Sequence, residues 1–317
     1  MKTEILQLNP ILIASINEQL EARYRVHRLF KEVDKEGYVA MHGRGIRAVI
    51  TGGHTGISNA LMDQLPALQV VAINGVGTDA VDLNYARARG IAVTAKLGAL
   101  TDDVADLAIG LLIGTCRGMF SGDRFVREGK WPENPQPSAI PLARRFSGMN
   151  VGIVGMGRVG RAIATRAAAF GCAIRYNDLR SMPDVPYEYV STLKNLALSS
   201  DALVLAAAAD QAEGIVNREI LNALGCNGFI VNIARGKLIN EADLVSALVE
   251  KRIAGAGLDV FVDEPNVPPA LFQMDNVSLQ AHRASATIET RTRMCEMVLT
   301  SLEQALNGLN PEGSLTT

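Results

Sequence analysis

The sequence predicts an α/β protein built of two parallel-sheet domains. Three observations carry that expectation. The chain has 317 residues, which is long for one hydrophobic core, since single cores stop growing at roughly 250–300 residues. Short β-branched runs alternate with amphipathic stretches from end to end, the pattern of βαβ units and a parallel sheet. A glycine-rich turn, residues 155–160, stands between one such run and the helix after it.

In the first domain Ala48-Val49-Ile50 and Val70-Val71-Ala72-Ile73 read as buried strands. Thr101–Arg127 reads as one long apolar-periodic helix, entered through Thr101-Asp102-Asp103, residue types that cap a helix N-terminus. Trp131–Pro141 contains Pro132, Pro135, Pro137 and Pro141. Proline removes a helical hydrogen bond, so this segment is expected to be a surface excursion and not a helix interior. A new βαβ series opens at Met149. Its strands are Val151-Gly152-Ile153-Val154, Ala173-Ile174-Arg175-Tyr176, Leu203-Val204-Leu205 and Phe229-Ile230-Val231, with helices over Arg158–Phe170 and Glu241–Lys251. Thr287–Leu306 reads as a last long helix that returns to the first domain. The expected domains are therefore 1–98 with 287–317, and 99–286.

Composition narrows the function. Hydrophobic residues are 48% and charged residues 20%, an ordinary folded balance that excludes disorder as the main state. With 31 Lys+Arg against 33 Asp+Glu and a net charge of −2, there is no basic surplus for nucleic acid or an anionic membrane. The longest uncharged apolar run, Leu107–Cys116, is about half the roughly 20 residues that a membrane span needs. Met1–Gln7 has no apolar signal-peptide core. Cys116, Cys172, Cys226 and Cys295 are too far apart for a C-x-x-C pair, and no His/Cys/Asp group has zinc-ligand spacing, so no metal is expected. A reducing, cytoplasmic setting is expected.

The glycine turn is Gly155-Met156-Gly157-Arg158-Val159-Gly160. In a dinucleotide-binding turn the first glycine permits the tight bend, the second lets backbone approach a pyrophosphate, and the third lets helix pack on strand. Free N–H groups at the helix N-terminus would receive the phosphates. A strand precedes the turn, and a helix and a further strand follow it. Asp178 comes 18 residues after Gly160, where a ribose contact belongs. These features predict a Rossmann-type dinucleotide-binding domain. Asp178 would accept hydrogen bonds from the ribose hydroxyls of NAD and repel the 2′-phosphate of NADP. Arg180 is a potential phosphate partner, so NAD is favoured and NADP stays open.

Three later strands end in charged residues. Gly228–Ile233 runs into Arg235, Ala254–Val260 into Glu264, and Asn276–Gln280 into His282. If all three are parallel to the strand before the glycine turn, these residues emerge at the carboxyl edge, where open α/β sheets bind ligands. Hydride transfer to a 2-oxo acid needs a cation for the carboxylate and a proton donor for the carbonyl oxygen. Arg235 suits the first role, His282 the second, and Glu264 beside it would stabilise and orient the imidazolium.

These residues resemble the D-isomer-specific 2-hydroxyacid dehydrogenases. The likeness rests on the glycine turn, Asn232-Ile233-Ala234-Arg235-Gly236, Gly257-Leu258-Asp259-Val260-Phe261 with Glu264-Pro265, and His282-Arg283-Ala284-Ser285. It extends to Leu100–Ala108 and Gly75–Leu83, and so covers nearly the whole chain in order. Thr101–Leu111 and Asn217-Arg218-Glu219 are similar to the hydroxyphenylpyruvate, glyoxylate and hydroxypyruvate reductase branch. The resemblance implies a flavodoxin-like substrate-binding domain that closes on the dinucleotide-binding domain. It also implies a homodimer and reduction of a small 2-oxo acid to the D-2-hydroxy acid. It gives Arg235, Glu264 and His282 the catalytic roles and places the substrate carboxylate on the N–H groups of Val76 and Gly77. Gly53 and His54, in the loop Gly52–Gly56, fall on its substrate side. Ile233, Ala234, Asp259 and Thr101 join the glycine turn as cofactor-binding positions.

The sequence departs from the family in places. Ala281 stands where proline often precedes the histidine. Ala95-Lys96-Leu97-Gly98 replaces an Asn-x-Pro. The adenine-side loop Ala206–Ala212 lacks the usual proline and threonine. His27 and His42 have no charged partner at motif spacing and read as surface or packing residues. Trp131, the only tryptophan, reads first as a packing residue and second as a side chain that projects toward a partner subunit's active site. The alternative function is a non-catalytic dinucleotide-sensing protein, since one fold hosts several functions. The intact Arg235, Glu264 and His282 argue against it.

Overall fold

The computed structural model describes residues 2–208 and 212–316. The chain forms two compact units, one of residues 1–100 and 286–317, the other of residues 101–285.

The first unit runs β1 (Glu4–Gln7), α1 (Ala14–Arg23), β2 (Arg25–Arg28), α2 (Lys35–His42), β3 (Ile46–Thr51), α3 (Asn59–Asp63), β4 (Val70–Ile73), α4 (Leu83–Ala88) and β5 (Ala92–Thr94). Its five strands lie in the order β2-β1-β3-β4-β5, with every pairing parallel. This is the flavodoxin-like order. Successive side chains of a strand point to opposite faces, and the two cores follow from that. Val49, Val71 and Ile73 enter one cluster, while Ala48, Ile50, Val70 and Ala72 enter the other. Both faces are covered, which explains the unbroken apolar runs in the sequence.

The second unit runs α5 (Thr101–Cys116), α6 (Met119–Arg127), α7 (Lys130–Glu133), β6 (Asn150–Val154), α8 (Arg158–Ala169), β7 (Ala173–Asn177), β8 (Glu188–Tyr189), α9 (Leu193–Leu198) and β9 (Ala202–Leu205). It continues with α10 (Arg218–Leu224), β10 (Phe229–Asn232), α11 (Glu241–Val249), β11 (Gly255–Leu258) and β12 (Val277–Leu279). The seven strands lie in the order β12-β11-β10-β9-β6-β7-β8. The order reverses direction between β6 and β9, the switch point where doubly wound sheets bind ligands. The chain then returns to the first unit as α12 (Ile288–Leu306), which lays Cys295, Val298, Leu299 and Leu302 in the second of that unit's cores.

Two expected elements differ. Thr101–Arg127 is two helices and not one. Gly118 takes a left-handed φ of 60°, and α5 and α6 meet at 64°. Thr101 is the first residue of α5 and not its cap. Asp102 and Asp103 lie in its first turn, where their charge complements the helix dipole. The proline-rich segment begins with a short helix, α7, which has Pro132 in its first turn, the one helical position where a missing N–H is harmless. No single helix among the described residues is long and apolar enough to cross a membrane.

Helix α5 approaches β11 closely because β11 is built of small residues. A Cβ on Gly257 would lie 3.1 Å from the Leu111 Cβ. The Thr115 hydroxyl donates to Ser278 Oγ of β12 at 3.0 Å, which satisfies both polar groups in the buried seam.

Candidate functional site

In the second unit β6, β9, β10, β11 and β12 are parallel neighbours. The turns after β6, β10, β11 and β12 therefore share one carboxyl edge. The glycine turn follows β6. Gly155 has φ 93°, and a Cβ on Gly160 would lie 2.0 Å from the Gly155 carbonyl oxygen. Those two glycines make the bend and the close approach of α8. The position a Cβ would take on Gly157 faces open space, with nothing within 4 Å. Gly157 caps α8 with no side-chain hydrogen bond to its first N–H groups. An uncapped N-terminus behind an open glycine fits an anionic pyrophosphate. Met156, Arg158 and Val159 complete the turn.

Asp178 stands just beyond the end of β7, and its carboxylate also secures the glycine turn. Oδ2 accepts the Met156 N–H at 2.7 Å, and Oδ1 accepts the Leu179 N–H at 2.7 Å. Each oxygen has a second lone pair for a ribose hydroxyl. In the adenine-side loop Ala206–Ala212, residues 209–211 lie outside the described residues.

The charged trio lies at the neighbouring strand ends. His282 Nδ1 is 2.8 Å from Glu264 Oε2. The other carboxylate oxygen of Glu264 accepts the Phe261 N–H at 3.0 Å, which fixes the carboxylate in its own loop. Arg235 lies beyond the end of β10, half-buried, and its Nη1 donates to the Ala234 carbonyl at 2.8 Å. The turn that carries it crosses the Glu264 loop so closely that a Cβ on Gly236 would lie 2.0 Å from the Phe261 carbonyl carbon.

Two buried polar residues hold these turns. Asn232 is 1% exposed. Its Nδ2 donates to the Arg235 carbonyl at 2.9 Å, and its Oδ1 accepts the Ala234 N–H at 3.1 Å. Ile233 between them is buried. Asp259 is 0% exposed, and its carboxylate accepts the N–H groups of Arg283 at 2.7 Å and Ala284 at 2.9 Å. Burial pushes its carboxyl above the ordinary value, and the two amide donors act in the opposite direction. Asn232 went unassigned at the level of sequence. The available signal was a lone polar residue closing the apolar run Phe229–Val231.

In the first unit the loops after β3 and β4 touch. A Cβ on Gly53 would lie 2.9 Å from the Gly77 carbonyl oxygen, so glycine is required where Gly53 approaches Gly77; His54 and Val76 are their neighbours in the chain. The Asn9 Oδ1 accepts the Gly52 N–H at 2.9 Å and secures the base of that loop.

Of the two readings of His27, surface or packing, the structure bears out packing, and it adds a charged partner that motif spacing does not reveal. It is 4% exposed, with Nδ1 2.8 Å from the Tyr38 hydroxyl and Nε2 3.3 Å from Glu4 Oε2. Strand pairing of β1 with β2 supplies the glutamate.

Similarity to known proteins agrees with this geometry. The family model described as D-isomer specific 2-hydroxyacid dehydrogenase, NAD binding domain, matches residues 109–284. The chain is 43% identical over 302 residues to a 2-ketogluconate reductase of Gluconobacter oxydans, covering 95% of this chain and 94% of that protein. It is 42% identical to glyoxylate/hydroxypyruvate reductase A of Arabidopsis thaliana, covering 92% and 93%. A crystal structure of an NADPH-dependent glyoxylate/hydroxypyruvate reductase from Sinorhizobium meliloti, in complex with NADP and malonate, superposes with a TM-score of 0.89 at 35% identity, covering 99% and 97%. With the doubly wound sheet, the glycine turn and the Arg235, Glu264 and His282 edge all present, the chain belongs to the D-isomer-specific 2-hydroxyacid dehydrogenases, a family of oxidoreductases.

Proposed function

We propose that this protein reduces a small 2-oxo acid, of the glyoxylate, hydroxypyruvate or hydroxyphenylpyruvate type, to the D-2-hydroxy acid. The observation that carries the proposal is the 2.8 Å contact of His282 Nδ1 with Glu264 at the sheet edge that also bears the glycine turn. A bound nicotinamide dinucleotide would supply the hydride. Gly155–Gly160 would hold its pyrophosphate and Asp178 its ribose, with Thr101, Ile233 and Ala234 as further contacts. The Asp178 carboxylate favours NAD over NADP.

The remaining work falls to the protein's own side chains. Arg235 takes the substrate carboxylate and polarises the carbonyl. The N–H groups of Val76 and Gly77, with Gly53 and His54 beside them, serve as the substrate-side contacts of the first unit. With Nδ1 bound to Glu264, His282 would deliver its proton from Nε2 to the carbonyl oxygen of the substrate. In the reverse direction the same nitrogen receives the proton. The four thiols, with no disulfide among them, suit the reducing cytoplasm.

We also read the protein as a homodimer. α6 and α7 leave Met119, Phe120, Val126 and Trp131 exposed, and a second copy covers that face.

The test is the change in absorbance at the NADH band with NADH and NADPH in parallel across a panel of 2-oxo acids. Rapid turnover with NADH supports the proposal. Tight NADH binding with no turnover on any acid overturns it in favour of a dinucleotide-sensing protein.

A further inference from the structure

Asn9 stands in the first unit, just beyond the end of β1, and its side-chain amide is used at both ends. Oδ1 accepts the Gly52 N–H at 2.9 Å, at the base of the loop after β3. Nδ2 donates to the Thr55 hydroxyl at 2.7 Å, on the exposed side of the same loop. The Asn9 main chain is held in turn from β1. Gln7 is fully buried, and its Nε2 donates to the Asn9 carbonyl at 2.8 Å. The loop also closes on itself. The Gly56 N–H donates to the Gly52 carbonyl at 2.9 Å, and the buried Thr51 hydroxyl donates to the Gly56 carbonyl at 2.6 Å. The far end is fixed against the loop after β4, where a Cβ on Gly56 would lie 1.8 Å from the Ala80 carbonyl oxygen. Gly53 and His54 lie between these fixed points. An amide carries an acceptor and donors in one plane, so a single asparagine can join a main-chain N–H to a hydroxyl across the loop.

We propose that Asn9 is a positioning residue for the substrate. Its amide spans the loop from Gly52 to Thr55 and holds Gly53 and His54 in the form that meets the 2-oxo acid. This deepens the functional reading, and it rests on Gly53 and His54 being substrate-side contacts. A loop already held in its binding form loses less conformational entropy when the ligand arrives. Removal of the amide therefore acts on substrate affinity. His282 and the glycine turn belong to the other unit and keep their own hydrogen bonds.

The test uses Asn9→Ala, Thr55→Val and the two combined, in the full-length protein. Asn9→Ala is expected to raise KM for the best 2-oxo acid about 5- to 20-fold, the share of one or two hydrogen bonds. Its kcat and its KM for NADH stay within about threefold, the mark of lost binding and not lost chemistry. Thr55→Val alone raises KM by less, and in the Asn9→Ala background it adds nothing beyond about twofold, because the two side chains act as one unit. With isotope-labelled histidine, the ring signal assigned to His54 by its absence in His54→Ala is expected to move in Asn9→Ala, while that of His282 stays. A fall in kcat at unchanged KM overturns the proposal. An equal loss from Thr55→Val in both backgrounds makes Thr55 itself the substrate contact and overturns it as well. If the wild-type protein turns over no 2-oxo acid, the functional reading fails, and the His54 signal still decides whether Asn9 holds the loop. If Asn9→Ala does not fold, hydrogen exchange on the wild-type protein reads the hold directly. Slow exchange at the Gly52 N–H supports it, and fast exchange removes it.

Discussion

The Lys96 ammonium donates to the Ser301 hydroxyl at 2.6 Å and to the Thr94 hydroxyl at 3.1 Å inside the first unit. Lys96 is 1% exposed, and burial pushes its ammonium down to about 8, partly offset by the charge of Glu312. The unfolded chain holds that proton up to the ordinary lysine range, so between about pH 8 and 10.5 the unfolded state binds more protons and stability rises with pH. Relative to Lys96→Met, the wild-type protein is expected to gain about 3 kcal/mol across that window, at roughly 1.4 kcal/mol per unit. Denaturant melts of both proteins at stepped pH check this. A difference that does not vary with pH would contradict a buried charge at this position.

Gly236 has no room for a side chain beside Phe261. Gly236→Ala should part the Arg235 turn from the Glu264 loop, cost about 1–3 kcal/mol as an overpacked contact and lower kcat as well. Calorimetry with steady-state kinetics tests both halves. A variant of unchanged stability and full activity would show that the two turns move freely.

His282→Ala should lower kcat by roughly 10²–10⁴ with NADH affinity near wild type. Arg235→Ala should lower kcat/KM by roughly 10- to 100-fold, the loss of a charged hydrogen bond to the carboxylate. Unchanged turnover in the first, or an unchanged kcat/KM in the second, removes the assigned role.

The Asp178 carboxylate does two things, so the substitution must separate them. Asp178→Asn keeps an acceptor for the Met156 N–H and removes the charge. The preference for NADH over NADPH, measured as the ratio of kcat/KM values, is expected to fall by about tenfold or more, roughly 1.4 kcal/mol. A constant ratio would assign cofactor choice to another residue.

On α6, Val126 is 52% exposed and Met119 57%. If a second copy covers this face, Val126→Lys should yield a monomer that keeps its fold, since that side chain is in no core of its own unit. Light scattering with circular dichroism decides. A wild-type monomer at micromolar concentration would remove the homodimer.

Much of the architecture is legible in the sequence alone. Buried strands such as Val70–Ile73 announce themselves by uninterrupted apolar residues. The glycine turn is legible because glycine alone tolerates φ 93° at Gly155 and a 2.0 Å approach behind Gly160. The break at Gly118 was hidden, because apolar spacing continues through it and one glycine does not by itself end a helix. The short helix at Pro132 is not legible from the prolines, because proline forbids helix interiors and not first turns.

By itself, the sequence determined the alternation of strand and helix, the dinucleotide turn and the identity of the three charged residues at strand ends, all written in short-range patterns. Only the tertiary structure decided that His282 and Glu264 meet, that Asp259 and Asn232 hold the turns beside them, that His27 finds Glu4, and that Lys96 is sealed between Thr94 and Ser301. Apart from the Asn232 turn and the contact of Lys96 with Thr94, each of those pairings joins groups from separate segments of the chain. Strand order and register bring them together, and those depend on how whole sheets pack, which no local spacing records.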